Sequence, residues 1–155
     1  MTRSPVDAWS LAAIDDDLVP ECDAVRRWLR EHNHATNPVF MAERERPGHA
    51  PRLLVILARG ATGVVGGLLA ETEFAWLKIS IMAVDPAWRS RGIGSALLTE
   101  AERQAAERGC RFAYVDTMEY QAPRFYPERG YETLCRIPDW DSHGHAKLFF
   151  RKQIA

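Results

Sequence analysis

"AWRSRGIGSALLTE" occupies residues 87–100. Two arginines, Arg89 and Arg91, and two glycines, Gly92 and Gly94, stand just before a run with helical spacing. Ile93, Leu97, Ala101 and Ala105 recur at four-residue intervals, and Gly109 ends the run. The first turn of a helix carries N–H groups without intrahelical partners and a partial positive charge. Glycines there let a ligand approach the backbone closely, and arginines add permanent charge. The stretch predicts a loop-to-helix junction that receives a phosphate.

The flanking sequence predicts the rest of the fold. "WLKISIMAV" (76–84) precedes the junction as a strand, with Leu77, Ile79 and Ile81 expected on one face and Lys78, Ser80 and Met82 on the other. "RLLVILA" (52–58), the turn "RGATG" and "VVGGLLAE" (64–71) read as a hairpin, with a bulge at Gly66–Gly67. "AWSLAAI" (8–14) is expected as a first strand. A helix capped by Asp15–Asp17 follows, to about His32, and then an irregular connection over 33–51. After the junction helix come a strand at 110–116, a short helix at 122–130, a strand at 131–137, a loop at 138–145 and a last strand at 146–152. This order predicts a single mixed α/β domain over 1–155.

Bulk properties narrow the function. The chain has 155 residues, enough for one domain with a real core. A net charge of -1 argues against nucleic acid or an anionic membrane as partner. Cys22, Cys110 and Cys135 fit no zinc or redox spacing, which predicts reduced thiols and a cytoplasmic protein. The start "MTRSPVDAWSL" lacks the apolar core of a secretion signal, and no apolar run is long enough to span a bilayer. The phosphate site is not a P-loop, because Ser95-Ala96 stands where Lys and Ser or Thr are needed. A dinucleotide fingerprint fits Gly92, Gly94 and Asp116 in part. Leu97 occupies its third glycine position, and a long loop replaces its tight turn.

Two motifs together resemble a known family. "VDPAWRSRGIGSALL" (84–98) is similar to motif A of the GNAT superfamily of N-acetyltransferases, whose core Gln/Arg-x-x-Gly-x-Gly/Ala is met by Arg89 to Gly94. Ala122 to Tyr131, "APRFYPERGY", match the family's AxxFYxxxGY on a short helix. With "GH" before the last strand, the chain looks like a subgroup of small bacterial acetyltransferases. The resemblance implies a mixed, largely antiparallel sheet with helices on both faces and two central strands, 76–84 and 110–116, splayed apart. It implies acetyl-CoA as co-substrate, an amine acceptor as partner, no metal, no covalent enzyme intermediate, and a homodimer as the assembly to test for.

The resemblance also implies site residues. The backbone of Met82, Ala83 and Val84 would hold the pantetheine arm, with the Met82 N–H on the thioester oxygen as an oxyanion donor. The backbone of Arg89, Ser90, Arg91, Gly92, Ile93, Gly94 and Ser95 would hold the pyrophosphate. Tyr126 would protonate the departing thiolate; read from the residues alone, it is a core aromatic beside Phe125. The general base is left open. Lys78 stands where many relatives carry Glu. Glu119, where they carry Asn, is a candidate beside its plainer reading as a solvated loop acid, and Asp116, Glu71 and Glu73 follow behind it. Asp139, Asp141, His143 and His145 form a metal-like cluster better read as loop structure, with His145 ordering the last strand. His32 and His34 are candidate acceptor contacts. The leading reading is an N-acetyltransferase acting on a primary amine; the alternative is a non-catalytic acyl-CoA-binding sensor.

Overall fold

The computed structural model describes residues 9–155. The start read as lacking a secretion signal lies mostly outside the described residues. Two compact units, Met1–His49 and Ala50–Ala155, divide the chain.

The first unit holds α1 (Pro20–Thr36) and α2 (Pro38–Glu45). It departs from expectation in three ways. Residues 9–14 form no strand, and residue 8 lies outside the described residues. Val19 rather than an aspartate occupies the N-cap of α1, with no side-chain cap; Pro20 begins the helix, where its missing N–H costs nothing. The polar stretch after residue 33 continues α1 for another turn and then forms α2. Asn37 caps α2 by accepting from the Phe40 N–H at 3.2 Å. His34 lies inside α1, with its Nε2 3.0 Å from Glu45 Oε1 of α2, so it ties the two helices together.

The second unit is a six-stranded sheet with one long helix. Its strands are β1 (Arg52–Gly60), β2 (Gly63–Glu73), β3 (Trp76–Val84), β4 (Phe112–Met118), β5 (Glu132–Ile137) and β6 (Lys147–Gln153), in the order β1-β2-β3-β4-β6-β5. All neighbours are antiparallel except β3 and β4. That single parallel pair needs a crossover, which α3 (Ile93–Glu107) supplies. The helix lies across β1, β2 and β3 and buries Leu97, Leu98, Ala101 and Ala105 against Leu54, Leu68, Leu77 and Ile79. Ile93, expected in that stripe, is only partly buried. The expected helix at 122–130 is a series of turns closing in a 3-10 turn at Pro127–Arg129, and Gly130 ends it at φ +84°.

Two register shifts matter. One sets the bulge of β2 at Val65, next to the expected Gly66, where Ala58 pairs with Gly66 and Arg59 with Val64. The other lies in β3: Leu69 pairs with Ile81 but Ala70 with Ile79, so Ser80 is an extra residue. A bulge shifts every later side chain to the opposite face. Leu77 and Ile79 are buried as expected, whereas Ile81 is 56% exposed and Met82 packs on the core. This corrects the simple alternation read from the sequence.

Candidate functional site

The site begins where two strands part. β3 and β4 pair from Trp76↔Phe112 to Ile79↔Val115 and no further. Trp76 and Phe112 close one end, with ring centroids 5.0 Å apart. Beyond Ile79 the Ser80 bulge bends β3, and its residues up to Val84 keep β2 as their only neighbour. Beyond Val115, β4 keeps only β6. Alternate backbone groups on both strands therefore face a gap that a third extended chain could fill. The expected splay is present, in the expected strands.

The gap leads to the mouth of α3. Asp85 turns the chain out of β3: its N–H donates to Val65 O at 3.0 Å and its Oδ1 accepts from the Ala87 N–H at 2.8 Å. Ser90 and Gly92 both take positive φ, +59° and +82°, so the loop curls and gathers its N–H groups on one side. Gly92 is the N-cap of α3, with no side-chain cap and no acid in the first turn. The N–H groups of Ile93, Gly94 and Ser95 have no intrahelical acceptor. Gly94 leaves little room for a side chain, because a Cβ there would lie 3.2 Å from the Phe125 ring, which would have to give by a few tenths of an ångström.

A cavity of about 610 Å³ joins these parts. The Met82–Val84 end of β3, Arg89, Ser90 and the Gly92–Ser95 start of α3 line one side, and Tyr120, Gln121, Phe125 and Arg129 another. Its volume is that of a small-molecule site. Of the residues expected to bind the cofactor, two do not line it. Arg91 has its guanidinium 4.8 Å from the centre of the ring of Trp88, which does line the cavity, and its Nη2 donates to Ala87 O at 3.4 Å. Tyr126 is 5% exposed and packs on Phe125, Tyr131 and Phe150. Burial, with Asp116 nearby, pushes its hydroxyl up to about 12, so it keeps its proton at neutral pH. Arg129 is a cavity residue that the sequence reading missed. It lies 34 positions from Ser95, and only the fold brings the two together.

The candidate bases are all engaged. Glu119 Oε1 accepts from the Ala146 N–H at 2.8 Å and Oε2 from Arg136 at 2.6 Å. These two donors hold its carboxyl below the usual range, which makes it a weak proton acceptor. It is a clamp between the end of β4 and the start of β6, unlike either expected role. Asp116 pairs with Lys147 at 2.7 Å, and Glu71 with Lys78 at 3.3 Å. Glu73 shares a smaller groove of about 230 Å³ with Glu71, Trp76, Lys78 and Tyr114. The Asp139–His145 segment is closed on itself. Asp141 accepts from the His143 N–H at 2.9 Å and lies 2.7 Å from His145 Nδ1, and Asp139 accepts from the Gly144 N–H at 2.7 Å. His145 also stacks edge-on with Tyr120, at 5.0 Å between centroids. No metal-ligand group occurs among the described residues. No helix among them is long and apolar enough to cross a membrane.

Comparison with known proteins decides the family. The model of the acetyltransferase (GNAT) family matches residues 20–131. The chain belongs to the GNAT acetyltransferase family. It is 35% identical over 117 residues to blasticidin-S acetyltransferase of Streptomyces morookaense, covering 72% of this chain and 86% of that protein. An acetyltransferase of Agrobacterium fabrum is 38% identical over 82 residues, covering 53% and 60% of the two chains. The crystal structure of an acetyltransferase from Bacillus cereus superposes with a TM-score of 0.71 at 26% identity, covering 92% of this chain and 97% of that one. GNAT acetyltransferases use acetyl-CoA, and this GNAT chain is an N-acetyltransferase. Family membership favours the enzyme over the acyl-CoA-binding sensor.

Proposed function

We propose that this enzyme transfers the acetyl group of acetyl-CoA directly to a primary amine of a small molecule. The observation that carries the reading is the continuity of the β3–β4 gap with the uncapped mouth of α3 in one cavity. The free edge of β3 suits the amide-rich pantetheine arm. The N–H groups of Ile93, Gly94 and Ser95, with Arg89 beside them, suit the pyrophosphate. The Met82 N–H donates to the thioester oxygen and stabilises the oxyanion formed as the amine attacks. Carbon–sulfur cleavage then releases the CoA thiolate, Tyr126 donates a proton to it, and water carries the proton shed by the newly acetylated nitrogen back to the tyrosinate. A hydroxyl held near 12 remains a donor throughout the neutral range. Water takes the proton that the ammonium sheds before attack.

The name of the relative at 35% identity makes blasticidin S the first acceptor to test. Thiol release from acetyl-CoA should rise when blasticidin S is added, and the product should be heavier by one acetyl group. If it does not, a panel of other primary amines follows; no turnover on any of them, with CoA bound tightly, overturns the catalytic reading. Gly94→Val checks the donor site. Its side chain meets Phe125 and fills the mouth of α3, so CoA affinity in calorimetric titration should fall by at least roughly tenfold, about 1.4 kcal/mol.

A further inference from the structure

Three arginines come near the mouth of α3, and each spends its guanidinium differently. Arg89 lines the cavity and donates from Nε to Val84 O at 3.1 Å. Arg91 lies over Trp88, outside the cavity lining. Arg129 comes from the segment before β5 and also lines the cavity. Its Nε and Nη2 both donate to Ser95 Oγ, at 3.0 and 2.7 Å. Its Nη1 donates to Phe125 O at 2.6 Å, and its guanidinium lies 3.6 Å from the centre of the Phe125 ring. The neighbouring acid, Glu128, stands off at 3.7 Å and is mostly exposed. The side chain is 28% exposed and held from three directions.

Hydrogen-bond accounting gives this clamp a consequence. A guanidinium has five N–H donors, and three are committed to Ser95 and Phe125. Two remain at a wall of the cavity, and the charge is shared only weakly, with the exposed Glu128 at 3.7 Å. A serine hydroxyl has two lone pairs and one proton. Arg129 takes up the acceptor side of Ser95, so the hydroxyl proton must point elsewhere, and Ser95 itself lines the cavity. Ser95 is the third residue of α3, beside N–H groups that lack intrahelical acceptors.

We propose that Arg129 is a phosphate-binding residue of the donor site, taking the place the sequence gives to Arg91, and that it fixes Ser95 as a hydroxyl donor to the same phosphate. The proposal rests on the acetyl-CoA reading of the cavity. It assigns the second permanent cation of the pyrophosphate seat to the segment before β5, outside the Arg89–Gly94 motif.

The test is calorimetric titration of CoA into wild type, Arg129→Met and Ser95→Ala at several salt concentrations, with melting temperatures alongside. Met keeps much of the length and the contact with Phe125 and removes the charge. CoA affinity should fall roughly 10- to 100-fold in Arg129→Met, the range of a charge-assisted hydrogen bond, and several-fold in Ser95→Ala. The affinity of Arg129→Met should also respond less steeply to salt, because a screened charge pair has gone. Unchanged CoA affinity in a folded Arg129→Met overturns the proposal. So does a loss that leaves the salt response of wild type intact, which marks Arg129 as a structural clamp alone. If Arg129→Met does not fold, Ser95→Ala decides: it removes the donor and leaves the arginine, and wild-type affinity overturns the proposal. Wild type that fails to bind CoA at all overturns the cofactor reading first, and this inference with it.

Discussion

Tyr126 joins two demands in one side chain. Its ring belongs to the core, against Tyr131 and Phe150, while the proposed chemistry needs only its hydroxyl. Substitution separates the two. Tyr126→Phe keeps the ring and removes the donor, so turnover should fall about 100-fold or more with little change in melting temperature or CoA affinity. Tyr126→Ala removes the ring as well and should cost about 3–5 kcal/mol of stability, the range for truncating a buried aromatic. Steady-state rates on a working acceptor, beside thermal unfolding, separate these outcomes. Wild-type turnover in Tyr126→Phe removes the residue from the mechanism and leaves water as the proton donor. Arg129 shows where residue-level reading stops. Motif spacing carries Arg89 and the glycines, because their roles depend on local backbone. It cannot carry Arg129, whose role depends on a contact with Ser95 across the fold, nor the seating of the Arg91 guanidinium on Trp88.

The elements were legible where one physical signal dominated. The four-residue apolar spacing located α3 to within about a residue at each end. The strands of the second unit were found from their apolar runs and turn residues. The Ser80 bulge was not, because Leu77, Ile79 and Ile81 alternate well enough to suggest an unbroken strand; only pairing with β2 reveals the extra residue. The region after residue 33 hid a helix for a related reason. Its short polar sequence carries no long periodicity, and Asn37-Pro38, which reads as loop, is an N-cap followed by a first-turn proline. Glu119 shows the same limit at an element junction. It replaces the family's Asn, and its carboxylate joins the Ala146 N–H and Arg136. Its pKa is held below the ordinary carboxylate value, so the folded state gains stability from the charged form. That gain is fully present above the ordinary carboxylate range and is lost as pH falls through the folded value. Glu119→Gln should therefore melt below wild type at about pH 7, and the difference should shrink as pH falls below the ordinary carboxylate range and the folded carboxyl takes up its proton. A constant difference across that range would show that the charge on Glu119 is not what joins β4 to β6.

At the scale of the whole molecule, the sheet is built to be incomplete. α3 and the buried faces of β1 to β4 hold the closed end, with Trp76 on Phe112, while the bulge leaves the other end without its central ladder. The unpaired edge of β3 at Met82–Val84 faces a cavity, where solvent reaches it in the free enzyme. Hydrogen exchange reads this directly. In the free protein, alternate amides of Ser80–Val84 should exchange by local fluctuation, faster than those of Trp76–Ile79 in the closed ladder. CoA should slow them selectively. A ligand that merely stabilises the fold slows amides that exchange through global unfolding, by about 2.7 kcal/mol at a hundredfold excess over Kd, and leaves locally exchanging amides almost unchanged. Selective slowing on the β3 edge therefore requires a bound chain that bonds to it or covers it. If CoA binds and slows only the globally exchanging amides, the pantetheine arm lies elsewhere. The free edge of β3 would then be a feature of the sheet alone, and the Met82 N–H would lose its place on the thioester oxygen.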